Sequence, residues 1–350
     1  MSLHKRIVLD FDDTLAFTSN RDWENAEPNI DLIEKCNALY NAGWQIDIFT
    51  ARGSISCRSR VEAEEKYGEQ IRTWLEKHHV KYHMLSFDKP LAAYYIDDKG
   101  ITPEDFICAD IRELQGGLSG SDIYTDGVLV HKTASNAHEV AKWYKETGSA
   151  VRTPEIHRVV GDTLTMDYID HDEDFFKHSP YKALAMIQEA LDEFGEIPVT
   201  KKFLTFDDYI ARIVGHVQLA KLDMFNDVVE RLANIELDYG YCHGDFGIKN
   251  MLFNQYDMYL IDPIPNVFGC RELDIAKFIA SLIINKYSPA EQDLAINTLL
   301  AYNHWIDKSD LLTLTAAEIV RVYKYHPDKD FIIQCVDDLL AMIDYGNARN

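Results

Sequence analysis

The chain has 350 residues, 47% of them hydrophobic and 27% charged. This length fits two or three domains with cores of their own, and the composition excludes wholesale disorder. No run approaches the ~18 apolar residues of a membrane span, and a formal net charge of −23 disfavours nucleic acid or an anionic membrane as partner. The first 110 residues and the remainder are both net negative, so an anionic substrate needs local compensation from metal ions or individual Lys and Arg residues. The opening MSLHKRIVLDFDDTL lacks the apolar run and cleavage site of a signal peptide, so a cytoplasmic chain is expected. Six scattered cysteines, none in a CxxC pair, argue against a zinc site or disulfide framework.

In chain order, IVLDF (7–11) reads as a short buried strand and residues 30–42 as a helix through Leu32, Ile33, Cys36 and Leu39. QIDIFTA (45–51) is a second strand, EQIRTWLEKHHV (69–80) an amphipathic helix and AAYYIDD (92–98) a third strand. This alternation predicts a parallel sheet covered by helices, with its site at the carboxyl ends of the strands. After about residue 110 the pattern changes. Residues 114–132 read as a hairpin with a Gly-rich turn, ASNAHEVAKWYKE as a helix, and IHRVVGDTLTMDYI as a second hairpin. From about 180 the chain is mostly helical, interrupted by 239–265, which reads as strand, loop, strand, turn, strand. The junction at 108–114 has no Gly/Pro/Ser tract, so two packed domains are expected, 1–110 and 111–350.

Asp10-Phe11-Asp12-Asp13-Thr14-Leu15 follows the first strand directly, and Asp10 and Asp12 point the same way if the strand continues. Close carboxylates repel unless a cation or proton is shared, and Mg²⁺ is the cation suited to oxygen ligands and phosphate substrates. A second acidic pair, Asp97 and Asp98, ends another strand; Thr50 ends the strand at 46–49, and Lys89 lies between them. Nucleophile, metal carboxylates, hydroxyl donor and lysine form a set suited to phosphoryl transfer through an aspartyl-phosphate.

DFDDTL, IFTARG, the lysine of SFDKP and YYIDDKG, in this order, resemble the four motifs of haloacid dehalogenase-like (HAD) phosphohydrolases. With AEPN at 26–29 and YIDDKGITPEDF at 95–106, residues 5–108 resemble the capsule-biosynthesis phosphatases of that superfamily. The resemblance implies Asp10 as nucleophile, Asp12 as acid/base, and Thr50 and Lys89 as holders of the phosphoryl group. Asp97 and Asp98 would hold Mg²⁺ together with Asp10 and the Asp12 carbonyl. Fewer than about 40 residues separate Asp12 from Thr50 and Thr50 from Lys89, too few for a large cap domain.

The second cluster is His243-Gly244-Asp245-Phe246-Gly247-Ile248-Lys249-Asn250, followed twelve residues later by Asp262 in Ile261-Asp262-Pro263. Asp245, Asn250 and Asp262 are what a nucleotide-dependent kinase needs: a base for the acceptor hydroxyl and two oxygen ligands for Mg²⁺. Upstream, Gly116, Gly117 and Gly120 form a flexible segment able to approach phosphates. Lys132 sits on the following strand, and Glu139 on the next helix is expected to pair with it. Met166-Asp167-Tyr168-Ile169 falls where two lobes would join. Lys249 reads as a solvated loop residue, Asp274 as a helix cap, His78 and His79 as helix-surface residues, and Trp143 and Tyr144 as core.

HGDFGIKN and LIDP resemble the aminoglycoside phosphotransferase and choline kinase family of the protein-kinase-like fold, over about 112–350. The resemblance implies Asp245 as catalytic base, Asn250 and Asp262 as Mg²⁺ ligands, and Lys132 on the ATP phosphates. Pro263 after the aspartate fits small-molecule kinases better than protein kinases.

The expected fold class is therefore α/β plus α+β: a Rossmann-like parallel-sheet HAD domain without a large cap, then a bilobal kinase-like domain with lobes at about 111–170 and 171–350. The expected partners are a small-molecule substrate (a sugar, sugar phosphate or polyol of surface-polysaccharide synthesis), ATP and Mg²⁺. Three readings of the pair stand open. The two activities act in sequence on one metabolite, they oppose each other as a switch, or one half serves as a binding module.

Overall fold

The computed structural model describes residues 5–18, 23, 25–92, 100–114, 122–148, 151–199, 204–220, 222–265, 267 and 269–347. The chain divides into two compact units, Met1–Arg112 and Glu113–Asn350.

The first unit contains β1 (Arg6–Asp10), β2 (Ala16–Phe17), β3 (Glu27–Pro28), α1 (Ile30–Asn41), β4 (Gln45–Phe49), α2 (Arg60–Lys77), β5 (Met84–Ser86) and α3 (Pro103–Cys108). β1, β4 and β5 form a parallel sheet in that order, with Ile7 opposite Ile46 and Leu9 opposite Ile48. Ile46 and Ile48 are fully buried with Cys36, Ile71 and Leu75 from the two long helices, as expected where helices cover a parallel sheet. α1 begins where the Asn29 side chain accepts from Leu32 N–H at 3.3 Å. α2 starts nine residues before the expected Glu69, because Ser59 caps it and Glu62 reaches back to Arg58 N–H at 2.8 Å. Only Ala63 is buried in its first two turns, so no apolar stripe announced them. β5 was not expected. Residues 93–98 of the expected third strand lie outside the described residues. The Asp12–Thr50 interval holds the β2–β3 ribbon and α1.

At the boundary, β6 (Arg112–Glu113) opens a five-stranded sheet with β7 (Asp122–Thr125), β8 (Leu129–Thr133), β9 (Ile156–Val160) and β10 (Thr163–Asp167), in the order β6-β7-β8-β10-β9. α4 (Ala137–Thr147) is inserted between β8 and β9. The turn of the β7–β8 hairpin is Asp126-Gly127-Val128, with Gly127 at φ 93°. Gly116, Gly117 and Gly120, the expected Gly-rich turn, fall between the sheet neighbours β6 and β7 and lie outside the described residues.

There follow α5 (Phe175–His178), α6 (Pro180–Glu196), α7 (Phe206–Ala220) and α8 (Met224–Leu232). A short 3-10 turn (Ile248–Asn250) leads into β11 (Met251–Phe253) and β12 (Met258–Leu260), and α9 (Arg271–Ile284), α10 (Pro289–Tyr302), α11 (Lys308–Val322) and α12 (Lys329–Asn347) complete the unit. α9 and α11 are its centre, buried almost throughout from Leu273 to Ile283 and from Leu311 to Val320. The buried hydroxyls of Thr313 and Thr315 bond back to the carbonyls of Ser309 and Leu311, which removes the cost of burying them. Residues 239–242, expected as a strand, form none. Among the described residues no helix is long and apolar enough to cross a membrane.

Candidate active sites

In the first unit the sheet's hydrogen bonding continues one residue past its strands. Phe11 N–H donates to Phe49 O at 3.1 Å and Thr50 N–H to Ser86 O at 2.9 Å. Asp10, Asp12 and Thr50 therefore gather at the carboxyl end of the sheet. Thr50, fully buried, donates its hydroxyl to Asp12 Oδ2 at 2.8 Å. Lys89, 79 residues downstream, forms an ion pair with Asp10 Oδ2, while Asp10 Oδ1 accepts from Phe11 N–H at 2.9 Å. Burial pushes the Asp10 carboxyl up; the Lys89 ammonium and the Phe11 N–H oppose that, and the Asp12 charge adds to it. Asp13, at φ 57°, turns the chain back, its N–H donating to Ala16 O at 2.9 Å.

The residue that sequence reasoning passed over is Arg52. Its Nε donates to Asp12 Oδ1 at 3.2 Å and a terminal nitrogen bonds the same oxygen. Its guanidinium lies 3.9 Å from the Trp23 ring centroid and 5.1 Å from that of Phe11, an arrangement that planar Arg suits better than Lys. The signal was present in IFTARG, two residues after Thr50.

Asp97 and Asp98 lie outside the described residues. Among the described residues no three His, Cys, Asp or Glu side chains converge as a metal group. The oxygens of Asp10 and Asp12 still fit Mg²⁺ as donors: both carboxylates are already held by cationic side chains, Lys89 and Arg52.

In the second unit, Lys132 on β8 meets Asp262 Oδ1, 130 residues away. Asp262 is held at φ 58°, and its N–H donates to the hydroxyl of Tyr144 on α4 at 3.1 Å. Such left-handed non-glycine backbone is typical of functional sites. Asn250 sits beside it because Ile261 N–H donates to Asn250 O at 3.0 Å, one step beyond the Met251–Leu260 pair of the β11–β12 hairpin. Asn250 Nδ2 donates to Asp245 O at 2.8 Å and Asp245 Oδ2 at 3.0 Å. With that nitrogen engaged, Oδ1 is what Asn250 offers a cation, and Asn250 with Asp262 fits Mg²⁺ as oxygen donors.

The loop carrying Asp245 is pinned from below. Asp274, expected as a helix cap, is not one: Cys270 holds the N-cap position of α9. Its carboxylate instead accepts from His243 N–H at 2.7 Å and Gly244 N–H at 3.2 Å, while Lys277 Nζ donates to Gly244 O at 2.6 Å. Burial raises Asp274 to about 6, against the pull of Lys277 and the two N–H groups. Burial also drives the His243 imidazole down to about 4, so it stays neutral, its Nδ1 accepting from Asp245 N–H at 3.3 Å. Gly244, at φ 80°, has no room for a side chain: a Cβ would lie 2.3 Å from Ile264 O.

Trp143 and Tyr144 are buried as expected, yet both also touch the site loops; Trp143 Nε1 donates to Cys242 O at 3.2 Å. Glu139 is exposed on the first turn of α4 and is not brought to Lys132, whose ion pair is with Asp262. It lines a cavity of about 490 Å³ with Trp143, Tyr241 and Ile264, whose lining includes neither Lys132 nor Asp262. Lys249 is exposed. A further residue absent from the sequence reading is Arg321 on α11, which has a terminal nitrogen 3.6 Å from Asp245 Oδ1.

Comparison of the sequence with protein-family models and with curated proteins found no match. Solved structures do match. A thermostable mutant of the aminoglycoside phosphotransferase APH(4)-Ia, in ternary complex with AMP-PNP and hygromycin B, is 14% identical; the match covers 69% of this chain and 96% of that one, with a TM-score of 0.53. Two thirds of this chain has the aminoglycoside phosphotransferase fold. A choline/ethanolamine kinase family protein from Mesorhizobium loti is 17% identical, over 67% of this chain and 87% of its own, with a TM-score of 0.49. A structural-genomics target from Vibrio cholerae is 30% identical, over 29% of this chain and 86% of its own, with a TM-score of 0.27.

Proposed function

We propose that the chain is a bifunctional enzyme: an ATP-dependent small-molecule kinase in the second unit and a Mg²⁺-dependent phosphatase in the first, acting in sequence on a sugar or polyol metabolite. One observation supports both halves. In each unit a lysine and an aspartate far apart in sequence meet beside a second carboxylate at the place the motifs single out, Lys89 with Asp10 near Asp12 and Lys132 with Asp262 near Asp245. Resemblance of residues 5–108 to capsule-biosynthesis phosphatases supports a role in surface-polysaccharide synthesis. The expected domain limits, 1–110 and 111–350, are kept as the extents of the two activities.

In the kinase unit, Asp245 takes the proton of the acceptor hydroxyl. The freed oxygen bonds to the γ-phosphorus, the bond from that phosphorus to the β–γ bridging oxygen breaks, and ADP leaves. Lys132, placed by β8, neutralises nucleotide phosphate charge; Asn250 orients Asp245 and, with Asp262, would hold Mg²⁺. The glycines 116, 117 and 120 would approach the nucleotide phosphates. In the phosphatase unit, Asp10 attacks the phosphorus while Asp12 protonates the leaving alcohol oxygen. Asp12 then deprotonates water, which releases phosphate from Asp10. Thr50 and Arg52 fix Asp12 for both steps, Lys89 holds the phosphoryl oxygens, and Asp97 and Asp98 would complete the Mg²⁺ ligands. Bound Mg²⁺ supplies charge neutralisation of the transferring phosphoryl group in both units.

The test uses Asp10→Asn protein, so that product is not erased. It is given MgATP and a panel of sugars, sugar phosphates, polyols, choline-like alcohols and aminoglycosides, with new phosphate esters read by mass spectrometry. A bisphosphate that wild type trims at its other position is the expected result. Simple reversal by wild type would replace sequential action with a switch, and no ester on any acceptor would overturn the kinase assignment.

A further inference from the structure

At long range the second unit's negative charge favours a neutral or cationic acceptor, yet the ground beside Asp245 has the opposite sign. Arg321 reaches Asp245 Oδ1 with a terminal nitrogen at 3.6 Å, longer than a hydrogen bond. Its Nε pairs with Glu318 Oε2 at 2.9 Å. Glu318 is almost fully buried, and Tyr209 of α7 donates to its other oxygen at 2.9 Å. The Nε–Glu318 contact is thus an ion pair without hydrogen-bond alignment, both atoms being buried with no hydrogen-bond partner among the described residues, and one terminal nitrogen faces the catalytic aspartate.

Other basic groups stand around it. On α7, Arg212 and His216 are four apart, one turn along the edge of the face that buries Tyr209, Ile213 and Val217. On the other side, Lys324 follows Arg321 by three residues. Burial lowers the His216 imidazole, and Arg212, Arg321 and Lys324 lower it further, with Glu318 opposing; α7 and α11 pack against each other, which brings these side chains to one face. His216 Nδ1 is buried without a hydrogen-bond partner among the described residues. Glu318 and Asp245 both face Arg321, so the positive charge beyond those pairs is carried by Arg212 and Lys324, the local compensation that an anionic substrate needs in an acidic protein.

We propose that the α7–α11 face beside Asp245 is an anion subsite, in which Arg321, backed by Glu318 and flanked by Arg212, His216 and Lys324, receives a phosphate or carboxylate carried by the acceptor. This rests on the kinase reading of the second unit and narrows it: the acceptor is an already anionic sugar or polyol derivative. A guanidinium presenting free N–H groups to a phosphate or carboxylate is the strongest recognition a single side chain offers such groups. The ion pair with Glu318 holds it in place in advance, which lowers the ordering cost of binding. With a phosphate as the anion, the acceptor leaves as a bisphosphate, the species that a phosphatase in the same chain would trim.

The experiment uses full-length Asp10→Asn protein with MgATP and matched acceptor sets, such as glucose, glucose 6-phosphate and glucuronate, with parallel sets for ribose and ribitol. ADP release gives kcat/KM, and isothermal titration of the MgADP-loaded protein with the same compounds gives affinity. The anionic members should exceed their neutral partners by about tenfold or more in affinity, the worth of one charge-assisted pair; preference for glucose 6-phosphate over glucuronate identifies phosphate as the group. Arg321→Gln should shrink that selectivity about tenfold, and Arg321→Lys should restore part of it. Because Arg321→Gln leaves Glu318 buried alone, the double variant Arg212→Gln/Lys324→Gln, at the exposed edge, is the second probe and should raise KM for the anionic members. Equal or better binding of neutral compounds to the MgADP-loaded protein overturns the subsite, as does an equal effect of the variants on anionic and neutral members. Failure of MgADP itself to bind overturns the kinase reading and the subsite with it; turnover of a neutral or cationic alcohol in preference to its anionic partner overturns the subsite and leaves the kinase reading standing.

Discussion

The Asp274 carboxylate on α9 accepts the backbone N–H groups of His243 and Gly244, the two residues before Asp245, at 2.7 and 3.2 Å. Only the ionised form satisfies both donors fully, and burial holds its pKa at about 6. A carboxyl raised in the folded state has opposite effects on activity and stability. Loop order, and with it kinase turnover, is lost as pH falls through about 6. The stability this proton contributes is full below the ordinary value of 3.8 and disappears as pH rises through about 6. Asp274→Asn should lower kcat by roughly 10–100-fold and remove the acidic limb near pH 6. A rate–pH profile that kept that limb in the variant would contradict this.

Gly244→Ala should act on the same loop by sterics. At φ 80° with a Cβ 2.3 Å from Ile264 O, the backbone must move. The expected cost is about 1–3 kcal/mol, read as a lower Tm for the second unit together with loss of kinase turnover. A Tm equal to wild type would show that the loop has room.

Lys132→Met should lower ATP-dependent turnover by roughly 10²–10³-fold, because the ammonium paired with Asp262 is the charge offered to the nucleotide. Phosphatase turnover measured on the same preparation should be unchanged. Equal loss of both activities would mean that the substitution unfolds the chain.

Arg52→Lys should cost about tenfold or more in phosphatase kcat. Lysine keeps the charge but loses the planar contact with Trp23 and the two-nitrogen hold on Asp12. Full activity in Arg52→Lys would show that charge alone suffices at this position.

The residues of the two lysine–aspartate pairs were legible in the motifs, but their pairing was not: Lys89 was expected on the phosphoryl group and Lys132 beside Glu139, whereas Lys89 meets Asp10 and Lys132 meets Asp262. Asp10 and Asp262 each directly follow a short apolar run, Ile7–Leu9 and Tyr259–Ile261, which marks them as strand-end carboxylates. Arg52 was within the quoted motif but drew no attention, since a surface Arg after a strand looks the same until Trp23 and Phe11 close over it. Arg321 and Asp274 were illegible for a different reason: in a helical run a charged residue reads as solvated surface or a cap. Only the packing of α11 and α9 at the centre of the unit makes them interior. The additional turn between β7 and β8 was not singled out because three clustered glycines outweigh the shorter Asp126-Gly127 signal. Residues 239–242 have strand composition but no ladder. They are held instead by Gly240 N–H to Gly269 O at 2.9 Å and the Thr147–Tyr241 hydroxyl pair at 2.6 Å.

The most direct test of two separate chemistries in one chain measures both on Asp10→Asn and Asp245→Asn proteins: hydrolysis of a generic phosphate ester, and ADP release with the best acceptor. The account predicts that Asp10→Asn abolishes the first and spares the second, and that Asp245→Asn does the reverse. Ester hydrolysis that persists in Asp10→Asn, or ADP release that persists in Asp245→Asn, would contradict it.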